Sequence, residues 1–258
     1  MAGTAFVAEP ATLPSPAVLI GRTLSSPAAL TGGVKYPVSF PLPTYQGQTP
    51  DPAAATKEAV AIWKTGKIPL VEIFYSLQGE GGRVGQATVF VRLAGCSLAC
   101  SFCDTDFRVK RILTIEEIVA EVLEFGCGWV CLTGGEPTLF DLKPLCDALH
   151  KAGLRLQIET NGMHPRPDWG LEHITVSPKE TEGGHIKPWY FEHATEFKYV
   201  VDDEADILRA QSSLFPGTIY LQPNALNPAA TPLCIEAVKT HPQRFRLSLQ
   251  THKMLEIP

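Results

Sequence analysis

Between residues 70 and 249 this 258-residue chain alternates short, β-branched apolar runs with amphipathic helical stretches, and that alternation leaves few folds open. Residues 70–74, 87–93, 129–132, 154–159, 174–176, 197–201, 219–221 and 245–249 read as strands. Residues 142–151, 204–213 and 232–240 read as helices. Thr114 and Glu117 form a capping box ahead of the stripe Ile115, Ile118, Val119, Val122 and Leu123, which predicts a further helix running to Gly126. Strand–helix–strand units cross over right-handed and build a mainly parallel sheet. About eight strands with only about four helices after the first fall short of a closed eight-fold barrel. The expected fold is α/β, an incomplete and open parallel β/α barrel with its chemistry at the carboxyl ends of the strands.

The first fifth of the chain has a different composition. Residues 1–52 hold 9 of the 22 prolines but only four charged residues, Glu9, Arg22, Lys35 and Asp51. Proline excludes sustained helix and removes ladder donors, so 1–52 is expected to be a Pro-rich, disordered extension without visible chemistry. The folded domain is expected to span 53–258 and to open with a helix over 53–65. The first sixteen residues lack the charged start and apolar run of a secretory signal. Their Ala, Ser and Thr content leaves an organellar transit peptide open, although a single arginine speaks against one. The only methionines are Met1, Met163 and Met254, so a shorter start would need another codon.

Mean hydropathy is +0.04, and no run approaches the ~18 apolar residues of a membrane span. With 22 basic against 27 acidic residues, a net charge of −5 and no Lys/Arg block, neither a membrane nor nucleic acid is an expected partner. Seven cysteines are an odd number, and the crowding of three of them suits thiolate ligation better than disulfides, which points to a reducing cytoplasm.

The crowded three lie in LAGCSLACSFCDTDF, residues 93–107, just after a strand: Cys96, Cys100 and Cys103, separated by three and then two residues. Thiolates this close on one loop can converge on an iron–sulfur cluster. A four-iron cluster held by three of them keeps one iron open to a ligand, whereas a simple electron carrier would want a fourth cysteine. Cys127, Cys131, Cys146 and Cys234 sit in apolar or helical patterns and read as small packed hydrophobes. Structural zinc would want a second ligand pair further along.

The Cys96–Cys100–Cys103 spacing, with aromatic Phe102 before the last cysteine, resembles the signature of the radical S-adenosylmethionine (SAM) superfamily. The resemblance implies that the open iron chelates the amino and carboxylate groups of SAM, and that one electron splits it into methionine and a 5′-deoxyadenosyl radical. It also implies that Phe102 lies against the adenine, with Cys103 and Asp104 adjoining. Residues 132–137, LTGGEP, resemble the superfamily's glycine-glycine-glutamate motif, which assigns Gly135 and Glu136 to the SAM amino group. Without the cysteines this would be an ordinary strand-to-helix turn. Glu159, in ETNG, and Ser177, Pro178 and Lys179 also end strands and so belong on the same rim, for the ribose and carboxylate of SAM; turn formation is their plainer reading.

Residues 73–106 narrow the resemblance to the 7-carboxy-7-deazaguanine synthase family, over about residues 70–258. That family is implied to convert 6-carboxy-5,6,7,8-tetrahydropterin into 7-carboxy-7-deazaguanine by ring contraction with loss of ammonia, in queuosine and deazapurine biosynthesis. It further implies Mg2+ on Thr105, a homodimer, and an electron donor such as flavodoxin or ferredoxin. The substrate would meet Leu77, Gln78, Gly79 and Glu80, whose amide and carboxylate suit a pterin edge. Thr133, His252 and the terminal carboxylate of Pro258 would join them. Arg92, on the otherwise apolar VFVRLAG, either pairs with a structural carboxylate or meets an anion, and the family favours the substrate carboxylate. Asp104 and Asp106 flank Thr105 and read otherwise as loop caps. The rivals are a glycyl-radical-enzyme activase, with the same cysteine spacing, and an iron–sulfur electron carrier.

Overall fold

The computed structural model describes Thr49 and residues 51–258. These lie in the second of the two units into which the chain divides, Phe40–Pro258; of the extension expected over residues 1–52, residues 1–48 and Pro50 are outside the described residues. Helix α1, Pro52–Trp63, begins where the Asp51 carboxylate accepts the Ala54 N–H and proline occupies the first turn, and it buries Ala55 and Ala59.

Nine strands follow: β1 (Ile68–Leu77), β2 (Ala87–Leu93), β3 (Arg111–Leu113), β4 (Trp129–Gly134), β5 (Arg155–Thr160), β6 (His173–Val176), β7 (Glu196–Val201), β8 (Ile219–Pro223) and β9 (Phe245–Leu247). They form one sheet in the order β3-β1-β2-β4-β5-β6-β7-β8-β9. β1 is antiparallel to β2 and β3, and every other pairing is parallel. The edge strands β3 and β9 do not pair with each other, so the barrel is open, as the shortage of helices implied.

The crossovers carry α2 (Ile115–Glu124), α3 (Lys143–Lys151), the short α4 (Trp189–His193), α5 (Glu204–Ser212) and α6 (Ala230–Thr240). The Thr114–Glu117 capping box is present in both directions at α2. Ile118 and Val122 of α2 and Leu145 and Leu149 of α3 are buried against the strands. Three elements were not legible as such: β3, α4 and a final helix α7, Thr251–Leu255, have three to five residues each, too few for a periodicity. Residues 245–249 are strand only as far as Leu247, because Ser248 turns to donate to Gln222 Oε1 and to accept the Gly81 N–H.

Alternation along the strands sorts side chains by face. Leu132, Ile158, Phe197, Val201 and Leu221 belong to the apolar core. Arg92, Thr133, Glu159, Thr175, Lys198 and Gln222 line the interior cavity. A barrel whose inner face is this polar is built to hold a polar ligand, since each such group needs a partner once it leaves water.

Candidate active site

The loop after β2 leaves the carboxyl end of the sheet and carries Cys96, Cys100 and Cys103, all half-buried free thiols that line the cavity. Among the described residues no three His, Cys, Asp or Glu side chains are grouped to hold a metal ion. Three thiols on one loop that line the same cavity are the chemical donor set of an iron–sulfur centre. Burial pushes the Cys96 thiol up to about 12, with nearby Glu136 and the other two thiols adding to the rise. Burial likewise takes Cys100 to about 11 against the pull of Lys179, and it also raises Cys103. As bare thiols these groups resist ionisation; a cationic iron centre reverses that balance.

Beside the loop, the ends of β2 and β4 pass within backbone contact. Gly135 N–H donates to Leu93 O at 3.1 Å and Glu136 N–H to Gly95 O at 3.0 Å. A Cβ on Gly135 would sit 1.9 Å from Gly95 O, so no other residue fits there. The Glu136 carboxylate, 1% exposed, is held by Thr138 N–H (2.9 Å), Thr138 Oγ1 (2.5 Å) and Thr160 Oγ1 (2.7 Å) on Oε1 and by Asn161 N–H (2.7 Å) on Oε2. It ties the ends of β4 and β5 together while facing the cavity. Lys179 Nζ donates to Ser177 O (3.0 Å) and Oγ (2.5 Å) and stands 5.8 Å from the Phe102 ring centre. Burial lowers the Lys179 pKa, opposed by the Cys100 and Cys103 thiols.

The cavity is lined further by Leu77 to Glu80 and by Gln250, His252, Lys253 and Pro258 of the C-terminal segment. Gln78, 2% exposed, donates to Glu159 Oε1 at 3.0 Å, while Thr133 Oγ1 donates to Glu159 Oε2 at 3.0 Å. Glu80 forms a buried ion pair with Lys198 and accepts Gln250 Nε2 at 2.7 Å. Burial alone would raise the Glu80 carboxyl, but the Lys198 charge beside it, with the nearby His252, brings it down to about 2. Helix α7 docks here through Thr251, whose N–H and Oγ1 both donate to Gly79 O at 3.0 Å. A Cβ on Gly79 would meet His252 Nδ1 at 2.1 Å, so this glycine makes room for the histidine, whose pKa burial lowers. Ser76 Oγ donates to Pro258 O at 2.8 Å, which fixes the last residue at the cavity. Arg92 takes the first of its expected alternatives, Nε donating to Glu72 Oε1 at 2.8 Å, and it also lines the cavity.

Of the residues singled out from the sequence, Leu77, Gln78, Gly79, Glu80, Arg92, the three cysteines, Phe102, Asp104, Thr105, Thr133, Gly135, Glu136, Glu159, Ser177, Lys179, His252 and Pro258 line this one cavity. Pro178 does not: it lines a neighbouring hollow with Ser101 and Glu182. Asp106 is drawn instead to Arg108 and Lys110. Lys198, Gln250 and Lys253 also line the cavity but were not singled out. Lysine in the apolar run FKYVV was the available signal for the first. Lys253 pairs with Asp104 and donates to Gln250 Oε1 at 2.9 Å, which links α7 to the cysteine loop.

Residues 91–174 match the model of the radical SAM superfamily. A 7-carboxy-7-deazaguanine synthase from Bacteroides thetaiotaomicron is 43% identical over 187 residues, 72% of this chain and 96% of that protein. One from Escherichia coli strain K12 is 35% identical over 221 residues, 73% of this chain and 98% of its own length. The crystal structure of QueE from Escherichia coli superposes with a TM-score of 0.62 at 31% identity, over 74% of this chain and 97% of the other. With that identity over nearly the whole of each relative, and the cysteine loop facing a polar barrel interior, the chain belongs to the 7-carboxy-7-deazaguanine synthase family of the radical SAM superfamily.

Proposed function

We propose that this enzyme converts 6-carboxy-5,6,7,8-tetrahydropterin into 7-carboxy-7-deazaguanine with release of ammonia. The observation that carries the proposal is a single cavity lined by three free thiols, by the Gln78 amide and Glu80 carboxylate, and by Arg92 of β2. Cys96, Cys100 and Cys103 would hold a four-iron cluster, and Phe102, Cys103, Asp104, Gly135, Glu136, Glu159, Ser177 and Lys179 would seat SAM. Together, when bound and reduced, these groups supply the one-electron chemistry that takes a hydrogen atom from the substrate.

The chain's own residues do the rest by position. Oε2 of Glu136 accepts the Asn161 N–H and keeps acceptor capacity for an ammonium group. Lys179 offers an ammonium to a carboxylate, and its present bonds to Ser177 hold it in place. Gln78 and Glu80 present donors and acceptors to the pterin edge, and Arg92 meets its carboxylate. Glu159, bonded to both Gln78 and Thr133, joins the SAM-facing and substrate-facing sets. Thr105 would give one oxygen to Mg2+, the substrate carboxylate and water completing an oxygen shell. His252 and the Pro258 carboxylate would close on the substrate. We further place residues 53–258 as the catalytic core of a cytoplasmic homodimer served by flavodoxin or ferredoxin. Among the described residues no helix is long and apolar enough to cross a membrane.

The test is anaerobic incubation of the cluster-loaded, reduced protein with SAM and the carboxytetrahydropterin. Chromatography with mass detection is expected to show 7-carboxy-7-deazaguanine with ammonia released in equal amount; no product from protein of full iron content contradicts the assignment.

A further inference from the structure

The cysteine loop is closed at its neck by one backbone bond, Gly95 N–H to Phe107 O at 2.9 Å. Two threonines that precede the family-matched segment grip the two sides of that neck. On α1, Thr56 Oγ1 accepts the Cys96 N–H at 3.2 Å and faces Cys96 O at 2.9 Å, sharing its single proton between that carbonyl and Pro52 O at 2.8 Å. Ahead of α1, Thr49 Oγ1 accepts the Phe107 N–H at 2.9 Å and lies 3.5 Å from Thr105 O. Thr49 is buried. The helix packs on the loop without an intervening side chain: Gly95 is left-handed at φ +82°, and a Cβ there would stand 3.0 Å from Ala59 Cβ.

Cys96 lies beyond the last residue of β2, in neither a strand nor a helix, so no ladder fixes its backbone. One hydroxyl meets both its N–H and its C=O. Hydrogen bonds that orient a ligand, though they do not touch the metal, set how firmly a centre is held and its electronic state. We infer that Thr56, seconded by Thr49, is a positioning residue for the first cluster cysteine, and that Thr49 and helix α1 work as a clamp on the cluster loop. The sequence reading gave this part of the chain no chemistry. The inference rests on the reading that the three cysteines hold an iron–sulfur cluster.

The experiment compares the full chain with T56V, T56S and T49V after anaerobic reconstitution, following iron loss to a ferrous chelator and the electron paramagnetic resonance spectrum of the reduced protein. T56V is expected to lose iron roughly five- to tenfold faster, the effect of one hydrogen bond, with a displaced spectrum. T56S is expected to restore both. T49V, which leaves α1 untouched, is expected to shift iron release in the same direction and keeps the test alive if T56V does not fold. A cluster-loaded parent whose T56V and T49V variants match it in iron release and spectrum overturns the inference. A parent that takes up no iron overturns the cluster reading itself, a different and recognisable failure.

Discussion

Glu80 and Lys198 show how much of this cavity depends on a single pair. Lys198 is buried and the Glu80 side chain is nearly so, they lie 118 positions apart, and the charge of one is tolerable only because of the other. The Glu80 carboxyl falls from its ordinary 4.5 to about 2 in the folded chain. A depressed carboxyl stabilises the fold fully above its unfolded value, and that stability fades as pH drops from the ordinary range through the folded one. Glu80→Gln is therefore expected to cost roughly 3 kcal/mol at pH 7, and the gap to the parent is expected to close as pH approaches 2. Urea unfolding at neutral and acid pH reads both; a deficit that does not change with pH contradicts the pairing. At this scale the sequence named Glu80 but not its partner, because Lys198 sits in a run otherwise read as a core strand, and a pairing across 118 residues has no local signature.

Among elements, the ends of β2 and β4 are the least tolerant junction. Gly135→Ala would drive a methyl group to 1.9 Å from the Gly95 carbonyl oxygen, a backbone atom that cannot step aside. Gly128→Ala at the other end of β4 meets nothing within 4 Å. The first substitution is expected to cost at least about 2 kcal/mol and to lower iron uptake, the second to stay within about 0.5 kcal/mol. Thermal unfolding and iron analysis of the pair decide it, and equal melting temperatures refute the contact. Element type was legible wherever a period could establish itself, as in the capped α2 and in the strands. It was not legible in β3 or α7, whose places come from tertiary bonds: β3 pairs with β1, and α7 is fastened through Thr251 to Gly79. The motif at the C-terminus was visible, but its helical form was not.

For the molecule as a whole, an open barrel leaves a seam, and the chain closes it with its own loops. The segment after β9 bonds to the loop after β1, Ser248 to Gly81 and Thr251 to Gly79, while Lys253 reaches Asp104 beside Cys103. The loop after β1, the C-terminal segment and the cysteine loop thus meet around one polar space, with the thiols at the carboxyl ends of the strands where parallel barrels place their chemistry. In the proposed reading Cys96, Cys100 and Cys103 hold a cluster with one iron free for SAM. Mössbauer spectroscopy of the anaerobically reconstituted chain, before and after SAM is added, tests it most directly. About four irons per chain are expected, as in a four-iron cluster, with a single iron site changing its parameters when SAM binds. Four irons that all stay unchanged in the presence of SAM, or a chain that holds no iron, would contradict it.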